Sequence, residues 1–114
     1  MSDRELLEKA AKAAGDINLP LLWVREFDGD LTPVNNRGEA WNPLTDDGDA
    51  LRLAVKLELD LTRYAEHSVV ATGRKPTHGT PGSYVTVRQS LDGDPYAATR
   101  KAIVRAAAAI GEHE

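Results

Sequence analysis

The sequence predicts an α+β domain in which a mainly antiparallel sheet of four to five strands packs with three helices, layered helix/sheet/helix. Three segments carry apolar residues at helical spacing, and each begins with a capping signal. Runs rich in β-formers lie between the helical segments and follow one another closely, which favours antiparallel pairing. With 114 residues, 41% of them hydrophobic, the chain fits one domain spanning residues 1–114.

A capping box at residues 2–5 predicts the first helix. The Ser2 hydroxyl can accept from the backbone N–H of Glu5, while the Glu5 carboxylate reaches back to the backbone N–H of Ser2. Gly15 is placed to end this helix in a left-handed conformation. Residues 21–27 then read as a strand with apolar side chains on both sides, which favours helices on both faces of the sheet. Residues 28–30 form a turn, and residues 31–34 are predicted to pair back as a hairpin.

The second helix is predicted to begin at a cap, Thr45 or Asp46, and to run to about Leu57. Pro43 disfavours helix at the residue before it, Asn42. Its apolar residues cover a wide arc, and we expect the whole arc to be buried. The arc consists of Ala50, Leu51, Leu53, Ala54, Val55 and Leu57.

Three strands are predicted at about residues 59–64, 68–72 and 83–89, as an antiparallel meander. The segment 73–82 contains five Gly and Pro residues, which predicts an exposed loop. The last helix starts with Asp94 as cap and Pro95 at the first helical position, and Gly111 should end it. Its predicted inward stripe is Tyr96, Thr99, Ile103, Ala107 and Ile110.

The composition indicates in which cellular compartment the protein is expected and which kinds of partner it is expected to bind. Cysteine is absent and no apolar run reaches the roughly 20 residues of a membrane span, so we expect a soluble protein of a reducing cytoplasm that does not bind membranes. The net charge is −4, divided as −6 over residues 1–66 and +2 over residues 67–114. That asymmetry lacks the basic stripe of a duplex-binding protein, so nucleic acid is not the expected partner.

No residue pattern predicts catalysis, a metal or a cofactor. The acidic run at residues 45–49 lacks the ligand spacing of a calcium loop, and carboxylates are expected in a first helical turn. The two Asp-Gly-Asp segments are typical of turns, and the three histidines do not have the spacing of a zinc pair. Nucleophile elbows, phosphate loops and dinucleotide fingerprints are also absent from the sequence, which favours a protein that is not an enzyme.

Two sets of residues are candidates for binding. The partner-binding set is Trp41, Arg74, Lys75 and His78. The nucleic-acid alternative is Arg74, Lys75, Arg88, Lys101 and Arg105. Each set has a structural interpretation as well, because a tryptophan can anchor the core, a Gly- and Pro-rich loop can be simply solvated, and cations on a C-terminal helix complement its dipole.

Alanine-rich faces on the first and last helices predict an interface. Residues 10, 11 and 14 and residues 106–109 offer small side chains over a wider arc than one packing face requires. We therefore expect a homodimer as one form of assembly, with alanine's high helix propensity as the alternative explanation of these positions.

Two segments carry a resemblance to a known family. WNPLTDDGDALRLAV at residues 41–55 and DPYAATRKAIVRAAA at residues 94–108, with weaker agreement of DRELLEKAAKAAG at residues 3–15, resemble small tailed-phage and prophage proteins of the phage ABA sandwich domain. The resemblance implies helix, sheet and helix layers and no assigned activity. It leads us to expect a phage accessory protein that binds a phage or host protein or assembles with itself, with nucleic-acid or nucleotide binding as the alternative.

Overall fold

The computed structural model of the chain describes residues 2–15, 21–25, 29, 31–35, 37–64, 67–74 and 84–112. These residues form three helices and five strands. In chain order they are α1 (Asp3–Ala14), β1 (Leu22–Arg25), β2 (Leu31–Val34), α2 (Asp47–Lys56), β3 (Asp60–Tyr64), β4 (Ser68–Arg74), β5 (Tyr84–Ser90) and α3 (Pro95–Gly111). None of these helices is long and apolar enough to cross a membrane.

Each helix begins at a capping residue that the sequence predicts. Ser2 Oγ accepts from Glu5 N, and Asp94 caps α3 by accepting from Ala97 N at 3.1 Å, with Pro95 in the first turn. At the start of α2 the cap is Asp46. The Thr45 hydroxyl, the other candidate for that cap, instead donates to the carbonyl of Asn42 at 3.4 Å.

The strands form two antiparallel sheets, and the prediction of one sheet of four to five strands was wrong in this respect. β1 and β2 make a separate hairpin, and β3, β4 and β5 form the predicted meander in that order. The hairpin packs beside α1, where Trp23 Nε1 donates to Glu8 at 3.3 Å and the Arg4 guanidinium lies 5.1 Å from the indole. Trp23 thus attaches the hairpin to a helix, and β1 does not extend the three-stranded sheet.

A central helix replaces the predicted central sheet. α3 packs against β4 and β5 on one side and against α1 and α2 on the other, so the order of layers is sheet, α3, then α1 with α2. Its residues Ala98, Ala102 and Ala106 lie in the cluster with the sheet, whereas Ile103 and Val104 lie in the cluster with α1 and α2. A helix that is apolar around most of its circumference is a buried helix.

The alanine-rich faces of α1 and α3 pack on each other. Ala10, Ala11 and Ala14 are buried, and so are residues 106–108 of α3. At the end of α3 the backbone of Gly111 lies against the carbonyl oxygen of Lys9, so closely that a Cβ there would collide with it. Most of these small side chains are therefore buried within one chain, where they permit close approach of two helices, and the homodimer stays a prediction.

Candidate functional site

Trp41 begins the segment that connects the hairpin to α2. Its side chain is 7% exposed and belongs to the core cluster with α1, α2 and α3. Its backbone N donates to the carbonyl of Pro33 at 3.0 Å, which ties the segment to β2. The structure thus places this candidate for partner binding in the core, where it also forms part of a cleft wall.

The carboxylates of the acidic run are engaged within the protein. Asp46 caps α2 by accepting from Asp49 N at 2.8 Å. Asp49 is buried and accepts from Asn42 N at 3.0 Å and from the Arg52 guanidinium at 2.7 Å. The hydrogen bond from Arg52 to Asp49 raises the pKa of Arg52 above its ordinary value, with further Coulombic contributions from Asp49, Asp46 and Glu39. This cluster stabilises the turn before α2.

Arg100 ties the start of α2 to α3. Its guanidinium donates to the carbonyl of Leu44 at 2.9 Å and to Asp47 at 2.6 Å, and its side chain is mostly buried. Asp46, Asp47 and Asp49 therefore each have a partner in the fold. In the part of the chain that the structure describes, no group of three or more His, Asp or Glu side chains is arranged to hold a metal ion.

A cleft of about 530 Å³ lies between the end of α1, the β2–α2 connection and α2. The charged side chains on its wall are Glu39, Asp49, Arg52 and Lys56. Two acidic and two basic groups cancel, and the Asp49 carboxylate is already satisfied by hydrogen bonds within the fold. The cleft therefore has no net charge that would select one kind of ligand.

An apolar groove of about 390 Å³ opens between α2, β3 and the first half of α3, and we call it the α2 groove. Ile103 and Thr99 contribute from α3, Ala50 and Leu51 from α2, and Leu61 from β3. Leu51 is 62% exposed, and Val55, one turn further along α2, is 69% exposed. The expectation that the whole apolar arc of α2 is buried was wrong for these two residues.

Tyr96 lies at the other side of the same groove and is 71% exposed. It was predicted to face inward, but it is in the first turn of α3, where Asp47 and Arg100 come between α2 and α3. Three large apolar side chains that line the groove, Leu51, Leu61 and Tyr96, are thus exposed to water around one concave surface. Val55 extends the exposed apolar surface of α2 by one turn. Contiguous exposed apolar surface of this kind is a feature of interaction sites.

The cations of the nucleic-acid alternative lie in two separate places. Arg74 and Arg88 are exposed on strands β4 and β5, whereas Lys101 and Arg105 belong to α3. Arg105 donates to the carbonyl of Arg88 and to Gln89 Oε1, at 3.1 and 2.9 Å, so it joins α3 to the edge of the sheet. The four of these cations that the structure describes therefore do not form one basic surface.

Lys75 and His78, with the rest of residues 75–83, lie outside the described residues. Of the partner-binding set, the structure places Trp41 in the core and Arg74 at the exposed end of β4. The sequence analysis missed the α2 groove. The signal was present in Leu51 and Val55, which widen the apolar arc of α2 beyond what one packing face needs.

Comparison with known proteins gives no relative from which a function could be taken: the chain matches no family model, no curated protein and no solved structure. The resemblance of residues 41–55 and 94–108 to phage ABA sandwich proteins stays a prediction. Its two segments are adjacent in space, because Arg100 of the second holds Leu44 and Asp47 of the first.

Proposed function

We propose that this chain is a phage accessory protein that acts by binding a protein partner, and that the partner occupies the α2 groove. The observation that carries the proposal is the exposure of Leu51, Leu61 and Tyr96 around one concave apolar surface, which Val55 extends along α2. Burial of apolar surface contributes about 25 cal/mol per Å², and aromatic side chains are enriched among interface residues that dominate affinity. The sequence resemblance supports the phage origin.

Charge around the groove favours a partner other than a second copy. Asp47 lines the groove and Glu58 follows the exposed residues of α2, both as exposed acidic side chains. The nearby cation Arg100 already pairs with Asp47. A second copy would bring the same acidic surroundings to the contact, and like charges at an interface are unfavourable. We infer a partner segment with apolar anchors flanked by Lys or Arg.

The geometry suits an amphipathic helix from that partner. Leu51 and Val55 form an i, i+4 ridge on α2, and the groove beside it is bounded by β3 and α3. A helix laid along such a ridge can insert its own apolar residues between α2 and β3. Salt should weaken this complex moderately, because acidic and basic groups at the rim are screened by ions.

Affinity capture from infected cells, followed by quantitative mass spectrometry, tests the proposal when three baits are compared. The first is the wild-type chain, and the second carries Leu51→Gln with Val55→Gln, which remove apolar surface without adding charge. The third carries Leu22→Thr with Val24→Thr, a matched control because these residues are also exposed apolar side chains but lie on the hairpin. We expect one protein at stoichiometric yield with the first and third baits and its loss with the second.

Equal capture of that protein by the second bait would refute the α2 groove as its site. A wild-type chain that sediments as a dimer and becomes monomeric through Leu51→Gln and Val55→Gln would instead assign the groove to self-association. In both cases circular dichroism should show that the variants are folded, since replacement of exposed side chains typically changes stability by less than about 0.5 kcal/mol.

A further inference from the structure

The outward face of the three-stranded sheet is a second exposed surface, separate from the α2 groove. α3 packs against the face that carries Val69, Ala71 and Val87. Residues alternate between the two faces along each strand, so Tyr64, Arg74, Tyr84 and Arg88 share the opposite face. Both tyrosines and both arginines are exposed.

These four side chains form an aromatic and cationic pair at each end of the face. At one end the Arg88 guanidinium lies 5.1 Å from the centre of the Tyr64 ring and donates to Ser68 Oγ at 3.1 Å. At the other end Arg74 and Tyr84 are direct cross-strand partners. Tyr64 is the cross-strand partner of Ser68, and Tyr84 is that of Arg74. Ser68 and Arg74 are six residues apart along β4, which corresponds to about 20 Å.

We propose that this face binds single-stranded nucleic acid. An exposed aromatic ring stacks on an unpaired base, and a guanidinium beside it pairs with the phosphate that follows. Twenty ångströms corresponds to roughly six nucleotides at the ~3.4 Å spacing of stacked bases. The side chains between the two pairs include Thr62, Thr72 and Thr86, whose hydroxyls bond phosphate or sugar oxygens.

Charge and shape distinguish a single strand from other occupants. The described face carries two guanidiniums and one carboxylate, that of Asp60, which is enough to attract a short strand but is not the continuous basic stripe that holds a duplex. Duplex bases are stacked on each other and unavailable to the tyrosines. A protein occupant is disfavoured because Val70 is the single apolar side chain between the two pairs and lies among three threonines, whereas the centre of a protein interface is apolar.

Fluorescence anisotropy with labelled oligo-dT and oligo-U of about twelve nucleotides measures this binding, since that length exceeds the site. We expect both oligonucleotides to bind the wild-type chain at low salt. The double variant Tyr64→Thr with Tyr84→Thr keeps β-forming residues and removes the rings, and it should bind on the order of tenfold or more weakly. Arg74→Gln with Arg88→Gln should weaken binding and reduce the slope of log K against log salt by about 1.4.

Two control variants lie elsewhere on the protein. Tyr96→Ala removes an exposed tyrosine of the α2 groove, and Lys101→Gln removes an exposed cation of α3. Both should bind the oligonucleotides as the wild type does. The α2-groove variant Leu51→Gln with Val55→Gln should also bind them normally, so failure of this proposal and failure of the proposed function are separate results.

Binding to neither oligonucleotide at micromolar protein and low salt would overturn the proposal. It would also be overturned if the tyrosine double variant bound with the affinity of the wild type, or if Lys101→Gln lost as much affinity as the arginine double variant. Stronger binding to a blunt duplex of the same length would overturn it too. A preference for oligo-U over oligo-dT, or the reverse, would support it and show which of the two strands the face prefers. Loss of a protein partner in the tyrosine double variant, without oligonucleotide binding, would assign the face to protein contact.

Discussion

The backbone of Gly111 in α3 lies against the carbonyl oxygen of Lys9 in α1, at a point where the helices are too close for any side chain. Beside it Lys9 Nζ and Glu112 form an ion pair at 2.7 Å. The closest part of the α1–α3 contact is therefore set by the absence of a Cβ, and the ion pair lies at its exposed edge. The layer order of the whole domain depends on this contact, because α3 separates α1 from the sheet.

Gly111→Ala tests how tightly the two helices are packed. The added methyl group must push α1 and α3 apart, and we expect a loss of about 1–3 kcal/mol in the free energy of unfolding. Gly48→Ala in α2 is the control, since the atoms nearest to an added Cβ there are side-chain atoms of Arg52 and Asp46 at 3.2 Å and not backbone atoms of another helix. Alanine's helix propensity should leave that variant unchanged or stabilise it by up to about 1 kcal/mol. Urea denaturation gives both values, and equal effects would contradict the packing.

Ala108→Glu distinguishes a helix contact within the chain from a surface for dimerisation. Ala108 is 2% exposed and belongs to the core cluster with α1, so a glutamate side chain needs space that this packing does not leave. We expect the free energy of unfolding to fall by more than about 3 kcal/mol. Lys101→Glu, at an exposed position of the same helix, should change it by less than about 0.5 kcal/mol. A wild type that is a dimer, together with an Ala108→Glu variant that is a folded monomer, would instead show that this face is a dimer interface.

Asp46→Ala removes the cap of α2. The backbone N–H of Asp49 loses its acceptor, which should cost about 1 kcal/mol. Because the neighbouring carboxylates are bound to Arg52 and Arg100, millimolar Mg²⁺ or Ca²⁺ should not raise the melting temperature of the wild type. A rise of several degrees that a chelator reverses would mean that the acidic run binds a cation, because a ligand that binds the native state stabilises it.

Local signals in the sequence were sufficient for the helices and the meander. Caps at Ser2, Asp46 and Asp94 depend on contacts within three residues, and the pairing of β3, β4 and β5 follows from short connections. Contacts between residues that are far apart in the sequence could not be predicted from such local signals. Whether β1 joins the meander or packs beside α1 depends on Trp23 and Glu8, which meet only in the folded chain.

The same limit explains the binding surfaces. An apolar residue in a helical arc predicts burial, and nothing local shows that Leu51 faces a groove, or that Val55 beside it is exposed, without a covering element among the described residues. Arg88 and Arg105 likewise read as members of one basic set, although the fold uses Arg105 to join α3 to the edge of β5. The exposure of a side chain depends on which helices and sheets cover it. The predicted order of layers, helix/sheet/helix, differs from the observed order of sheet, α3, then α1 with α2.

The affinity of the captured protein partner for the purified chain is the direct test of the α2 groove. Isothermal titration calorimetry should give a dissociation constant at least about tenfold higher for Leu51→Gln with Val55→Gln than for the wild type, since loss of two apolar contacts typically exceeds 1.4 kcal/mol. Leu22→Thr with Val24→Thr should bind with unchanged affinity. Equal dissociation constants for all three chains would contradict the assignment of the α2 groove as the binding site.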